Sequence, residues 1–213
     1  MSRVFVIGAA GKVGRRLVNN LRSNGHDVAA LYRQPEQSAA ISATGAQPVF
    51  GNLIELDAAQ LATLMAGSDV VIFTAGAGGA GTELTNAIDG KGLETAVTAA
   101  ERARVRRFLL VSAFPDALRG TDTSAGFENY MRVKKGADVY LASSELEWVI
   151  LRPGTLVDSP GTGKVLAGLA IPRDDVAAFL AALVDCPEAS RQIIELTQGT
   201  APIDLAVRTL RRR

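Results

Sequence analysis

The chain has one cysteine, Cys186, and one histidine, His26, among 213 residues. A lone thiol cannot close an internal disulfide, and one thiol with one imidazole cannot build the ligand set of a transition-metal centre. Disulfide scaffolds and metal catalysis therefore fall outside the expected readings, and His26, set in a Gly25-His26 turn, reads as a turn residue rather than a base. Excess charge is lacking as well: 23 Lys and Arg stand against 22 Asp and Glu, a formal net charge of +1. That balance offers no electrostatic footprint for nucleic acid. No block of like charge is longer than Arg211, Arg212 and Arg213. These follow a helix-like stretch with Leu205 and Leu210, where cations suit the C-terminal dipole, so they read as a solvated tail. No apolar run reaches the roughly 18 residues of a membrane span, and a strand opening at Val4 leaves no room for a signal peptide. The expectation is a cytoplasmic protein without a membrane partner.

What the chain does have is glycine, 21 residues of it. The most informative placement is Val4-Phe5-Val6-Ile7-Gly8-Ala9-Ala10-Gly11-Lys12-Val13-Gly14, an apolar run that enters three glycines spaced G-x-x-G-x-x-G. In so glycine-rich a chain the spacing alone is weak, and the context decides. Four apolar residues make a strand buried on both faces. The following segment, with Val13, Leu17, Val18 and Leu21 on one face, makes a helix whose free N–H groups and dipole would face a pyrophosphate. Gly8, Ala10, Gly11, Lys12, Val13 and Gly14 are thus candidate cofactor-binding residues of a dinucleotide cradle.

The rest of the chain alternates. Strands are expected at 27–32, 47–50, 70–74, 107–111, 146–151 and 193–196, with helices at 39–43, 58–65, 82–103, 125–144 and 174–184 between them. This order predicts an α/β fold, a Rossmann-type doubly wound parallel sheet in a single domain spanning 1–213. The part beyond about residue 152 is a small substrate-side portion. The polar stretch from Phe114 to Phe127 has the composition of a lid.

Arg33 lies nineteen residues after Gly14, at the end of the second strand, where such folds meet the adenosine ribose. A guanidinium there can grip a 2′-phosphate, which favours NADP(H) over NAD(H), provided Glu36 does not capture it. A second glycine-rich segment, Thr74-Ala75-Gly76-Ala77-Gly78-Gly79-Ala80-Gly81, follows the fourth strand at the same sheet edge. Its Thr74, Ala75 and Gly76 would pass beneath the ribose and nicotinamide. Tyr130 and Lys134 form a Y-x-x-x-K pair on one helix face. In a carbonyl reduction the phenol would donate the proton, and the lysine would lower its pKa from about 10 while holding the ribose.

These segments resemble the atypical short-chain dehydrogenase/reductases, the NAD(P)-binding group related to NmrA-like and epimerase-like proteins, over nearly the whole chain. Leu31-Tyr32-Arg33 is similar to that family's second-strand end, Arg106 to Ser112 to its fifth strand, and Ile150-Leu151-Arg152-Pro153-Gly154 to its run under the nicotinamide. Ile171 to Ala177 is similar to a late helix entry. The resemblance implies cofactor contacts at Asn52, Leu53, Pro153 and Gly154, with Ser112 beside the reaction centre. Two departures stand out. Asn52 replaces the aspartate of many relatives, and Ala113 replaces the second small hydroxyl that orients a substrate carbonyl; Ser112, Thr123 or Ser124 would have to serve instead.

The expected activity is NADPH-dependent hydride transfer to a small carbonyl or quinone-like acceptor. The alternatives are a non-catalytic NADP(H)-binding redox sensor and, third, a sugar-nucleotide epimerase or dehydratase, which the short C-terminal part disfavours. A small-molecule substrate is the expected partner, and a monomer and a homodimer both fit the sequence.

Overall fold

A computed structural model describes residues 1–114, 123–165 and 170–210. Seven parallel strands form the central sheet: β1 (Arg3–Ile7), β2 (Asp27–Tyr32), β3 (Gln47–Phe50), β4 (Val70–Phe73), β5 (Arg107–Val111), β6 (Glu147–Pro153) and β10 (Gln192–Leu196). Their spatial order is β10-β6-β5-β4-β1-β2-β3. Four short strands, β7 (Thr155–Val157), β8 (Lys164–Val165), β9 (Ala170–Pro172) and β11 (Ala201–Pro202), pair in twos beside it, β7 with β9 and β8 with β11. The expected portion beyond residue 152 therefore holds more structure than one strand and one helix. These two- and three-residue pairings are too short for a periodic signal.

The helices are α1 (Lys12–Ser23), α2 (Gln37–Ser42), α3 (Ala58–Leu64), α4 (Thr82–Leu84), α5 (Leu93–Arg102), α6 (Ala125–Ala142), α7 (Arg173–Val184) and α8 (Ile203–Thr209). Between α4 and α5 the chain stays helical but widens into a π segment, Thr85–Gly92. The single helix expected over 82–103 is thus broken in phase rather than in path.

Alternation within the strands explains the layers. Val4 and Val6 of β1 join one core with Leu17 and Leu21 of α1 and Val176 and Leu180 of α7. Phe5 and Ile7 join the other, with Leu61 of α3, Leu93 and Val97 of α5, and Ala137 and Leu141 of α6. A two-residue period on a strand covered on both faces leaves no polar face, which is why β1, β4 and β5 read as continuous apolar runs.

Strand order reverses between β1 and β4, so the carboxyl ends of these two strands border the crevice where an open α/β sheet takes its ligands. Among the described residues no helix is long and apolar enough to cross a membrane. His26 is 1% exposed, with Nδ1 accepting from the Ser2 amide at 3.3 Å and Nε2 against Asp185 at 3.3 Å. The Arg211 to Arg213 tail and most of the expected lid, 115–122, lie outside the described residues.

Candidate functional site

The crevice is built from the β1–α1 loop upward. Gly8 has φ +86°, and a Cβ there would stand 2.5 Å from the Ala75 amide nitrogen, so β4's exit passes directly over it. A Cβ on Gly14 would stand 2.1 Å from the Gly8 carbonyl oxygen, which fixes α1 against the loop. The Gly11 amide closes the turn by donating to Gly8 O at 3.0 Å. Thr74 Oγ1 donates to the carbonyls of Ile7 at 3.0 Å and Gly8 at 3.2 Å, tying the two loops into one wall.

No side chain caps α1, and its first-turn N–H groups have no intrahelical acceptors. A cradle in which Gly8 and Gly14 leave no room for a Cβ, beside an uncapped helix N-terminus, fits the pyrophosphate of a dinucleotide. Gly11 and Lys12 form its exposed rim, Ala10 is half-buried, and Val13 turns into the core.

Other predicted cofactor residues are placed less simply. Lys12 Nζ is committed to Asp158 at 2.7 Å, and Arg173 Nη1 reaches the other oxygen of the same carboxylate at 3.0 Å. The Lys12 hydrogen bond holds the Asp158 carboxyl below the usual carboxylate range. Arg33 is exposed and forms no ion pair with Glu36 or any other described residue, and its amide donates to Gln37 Oε1 at 3.3 Å. Asn52 follows β3 and spends its side chain on a turn, donating to Glu55 at 2.7 Å and accepting from the Ile54 amide at 3.3 Å. Leu53 packs beside Gly92 of the π segment. Pro153 ends β6 in register with Leu196, and the Gly154 amide donates to Leu196 O at 2.9 Å.

At the other end of the crevice the glycine loop meets α6. Gly76 lies against Asp89, where a Cβ would stand 3.2 Å from Oδ1, and the Ala77 amide donates to Asp89 Oδ2 at 2.9 Å. Gly78, Gly79 and Gly81 all have positive φ with nothing near their Cβ positions, so the loop then runs out clear of the protein. Lys134 Nζ lies 3.4 Å from Asp89 Oδ1 and donates to the Val111 carbonyl at 3.0 Å. Both charged side chains are buried, Lys134 at 4% and Asp89 at 2% exposure. Asp138, one turn beyond Lys134, is likewise buried and pairs with Arg152, whose Nη2 is 2.8 Å away.

The expected tuning of Tyr130 is overturned by this arrangement. Burial first, then the charges of Asp89 and Asp138, push its phenol up to about 12. Lys134 is not among the charges that shift the phenol; its ammonium is held by Asp89 and a backbone carbonyl. Tyr130 consequently keeps its proton throughout the physiological range. Ser112, at the end of β5, is buried, and its hydroxyl has no hydrogen-bond partner among the described residues. Thr123 is engaged with Glu128, and Ser124 caps α6 by accepting from the Phe127 amide at 3.2 Å, so Ser112 is the free hydroxyl of the three proposed replacements. A groove of about 560 Å³ between the π segment and α6 is lined by Asn86, Gly90, Arg132 and Tyr140 but by none of the motif residues.

Asp89 was missed by sequence reasoning. Its signal was present, since Asp89 precedes Leu93, Ala96, Val97 and Ala100 at helical spacing and so sits on the stripe that turned out to be core.

A family model described as NAD(P)H-binding matches residues 8–187, from the first cradle glycine to beyond α7. The chain belongs to this family, within the atypical short-chain dehydrogenase/reductases. Similar members include YhfK of Bacillus subtilis, named an uncharacterized sugar epimerase, 38% identical over 98% of this chain and all of that protein. A solved structure of a putative NAD-dependent epimerase/dehydratase from Bacillus halodurans is 32% identical, with TM-score 0.89 over 98% of this chain and all of the other. ChuY of Escherichia coli O157:H7, described as an anaerobillin reductase, is 25% identical with TM-score 0.79, covering 92% of this chain and 97% of its own. NAD(P)-binding oxidoreductases are thus this chain's relatives, and the dinucleotide cradle belongs to the part the family shares.

Proposed function

We propose that the protein is an NADPH-dependent reductase that transfers hydride to a small carbonyl or quinone-like acceptor. The observation that carries this reading is a contiguous wall. It runs from Gly8 through Thr74 and the Gly76-Ala77 turn to Asp89 and Lys134, with Tyr130 one turn before Lys134 on α6 and protonated at neutral pH. When bound, the dinucleotide supplies the hydride. The chain supplies the rest. The uncapped α1 N-terminus and the glycine cradle would hold the pyrophosphate, and the exposed Arg33 guanidinium would meet a 2′-phosphate, favouring NADPH over NADH. Tyr130 donates a proton to the acceptor oxygen as negative charge builds there, and the Ser112 hydroxyl, which has no partner among the described residues, donates a second hydrogen bond to it in place of the one Ala113 cannot make.

The upward shift keeps the phenol protonated at neutral pH, though it also makes it a weaker acid than a free tyrosine. An epimerase or dehydratase that begins by oxidising an alcohol needs a base there, and a phenol near 12 is a poor one at neutral pH. The anaerobillin reductase among the relatives is in keeping with the reductive direction.

The test is NADPH oxidation against a panel of aldehydes, ketones and quinones, with Tyr130→Phe and Ser112→Ala as controls. Turnover that falls at least tenfold in Tyr130→Phe supports the assigned donor, and unchanged turnover rejects it. The redox-sensor reading draws on the engagement of Lys134 by Asp89 together with Ala113. It predicts tight, state-dependent NADP(H) binding with no turnover on any acceptor.

A further inference from the structure

The residue that joins the two halves of the acceptor side lies in neither motif. Asp89 belongs to the π segment, whose widened turns shift side-chain phase relative to α4 and α5. One of its carboxylate oxygens accepts the Ala77 amide at 2.9 Å, and the other lies 3.4 Å from Lys134 Nζ. These partners come from different elements, the loop after β4 and the middle of α6. A Cβ at Gly76 would stand 3.2 Å from Oδ1, tight enough that the carboxylate would have to give by a few tenths of an ångström, so loop, carboxylate and helix fit together closely.

We propose that Asp89 is a positioning residue of this site: its buried carboxylate clamps the Lys134 ammonium and the Ala77 amide at once, holding the glycine loop and α6 in one fixed relation beside the acceptor. The consequence for turnover rests on the reductase reading; the clamp itself rests on geometry alone.

Two consequences separate this role from simple core stability. First, the Asp89 carboxylate adds to burial in pushing the Tyr130 phenol up. Asp138 acts on it in the same sense, and the cations paired with these two carboxylates are Lys134 and Arg152. Second, the loop's order depends on an acceptor at position 89 and not on its charge. The substitution Asp89→Asn keeps an acceptor for Ala77 but frees the lysine, Asp89→Ala removes both, and Asp89→Asn with Lys134→Met removes both charges so that no buried ion is left unpaired.

The experiment measures three quantities on the full chain: Ala77 amide exchange by NMR, the phenolate midpoint of Tyr130 from ultraviolet titration against Tyr130→Phe, and kcat and KM for the best acceptor with NADPH. For Asp89→Asn we expect Ala77 protection to stay within about threefold and the Tyr130 midpoint to drop by roughly one pH unit. Its kcat should fall about tenfold or more with little change in KM for NADPH. Asp89→Ala should lose Ala77 protection by at least about tenfold, and the double variant should keep it. An unmoved midpoint in Asp89→Asn together with unmoved Ala77 protection in Asp89→Ala overturns the clamp. Absence of wild-type turnover on every acceptor overturns the reductase reading instead, and the exchange and titration arms still decide the clamp.

Discussion

The two later cradle glycines do different physical jobs, and alanine at each should separate them. A methyl on Gly14 would lie 2.1 Å from the Gly8 carbonyl oxygen and 2.9 Å from Ala9 Cα, more than an ångström inside normal contact. Gly8 cannot retreat, because Ala75 already lies where its own Cβ would be and the Thr74 hydroxyl holds its carbonyl. Overpacking of this kind costs about 1–3 kcal/mol, and a rigid backbone neighbour puts Gly14→Ala at the upper end. At roughly 2–4 °C per kcal/mol for a chain of this size, the melting temperature should fall by about 6–12 °C. Gly11→Ala is milder for the fold. Its methyl would be 3.1 Å from the same oxygen, and φ −72°, ψ 170° suits alanine without strain. That substitution should cost less than about 1 kcal/mol of stability. It does, however, put a methyl on the exposed rim where the backbone must approach a pyrophosphate. Weakening of NADPH binding by about 10- to 100-fold, or roughly 1.4–2.8 kcal/mol, is expected there. Thermal unfolding by circular dichroism and titration of NADPH fluorescence measure the two effects. A Gly14→Ala variant that melts within about 2 °C of the parent, or a Gly11→Ala variant that binds NADPH as tightly as the parent does, would refute this division of roles.

Three further outcomes follow from the same geometry. Arg33→Glu should weaken NADPH binding by about 10- to 100-fold while leaving NADH within about threefold, because only NADPH presents a phosphate to the missing guanidinium; equal losses for both would show that Arg33 does not read the 2′ position. Tyr130 prefers its neutral form in the fold, so between the unfolded value near 10 and the folded value of about 12 the native state holds more protons than the unfolded one. Stability should therefore be level in this respect below pH 10 and fall by on the order of 2–3 kcal/mol towards pH 12, a slope that denaturant titrations should find reduced in Tyr130→Phe. Arg107, buried at 4% exposure, donates to the carbonyls of Leu183, Cys186, Pro187 and Ala189 at 3.0–3.3 Å around the end of α7. Arg107→Met should cost about 3–5 kcal/mol by leaving those acceptors without their donor, and a midpoint shift of under about 1 kcal/mol in urea would show that water replaces it.

Most of the fold was legible because it is written locally. Buried parallel strands must be short apolar runs, and the helices that cover them must carry a stripe, so Val4 to Ile7, Val70 to Phe73 and Arg107 to Val111 stand out without tertiary knowledge. The cradle was legible for the same reason: its glycines serve a turn that begins and ends within seven residues. What could not be read were contacts between distant segments. Lys12 answers to Asp158, 146 residues away, and the β8–β11 pairing joins segments more than thirty residues apart through two residues of each strand. Local pattern carries no record of either.

The Tyr130 and Lys134 pair marks the boundary between these two kinds of information. Their spacing places them correctly on one helix face, yet the chemistry of that face is set by Asp89, 45 residues before Lys134, and by Asp138 with Arg152. Two buried carboxylates stand beside a buried lysine and a half-buried arginine, and the phenol is pushed up first by burial and then by those two carboxylates. A lysine four residues from a tyrosine lowers the phenol's pKa only if its charge is unspent. In this protein it is spent on Asp89 and the Val111 carbonyl, and the phenol keeps the upward shift that burial gives it.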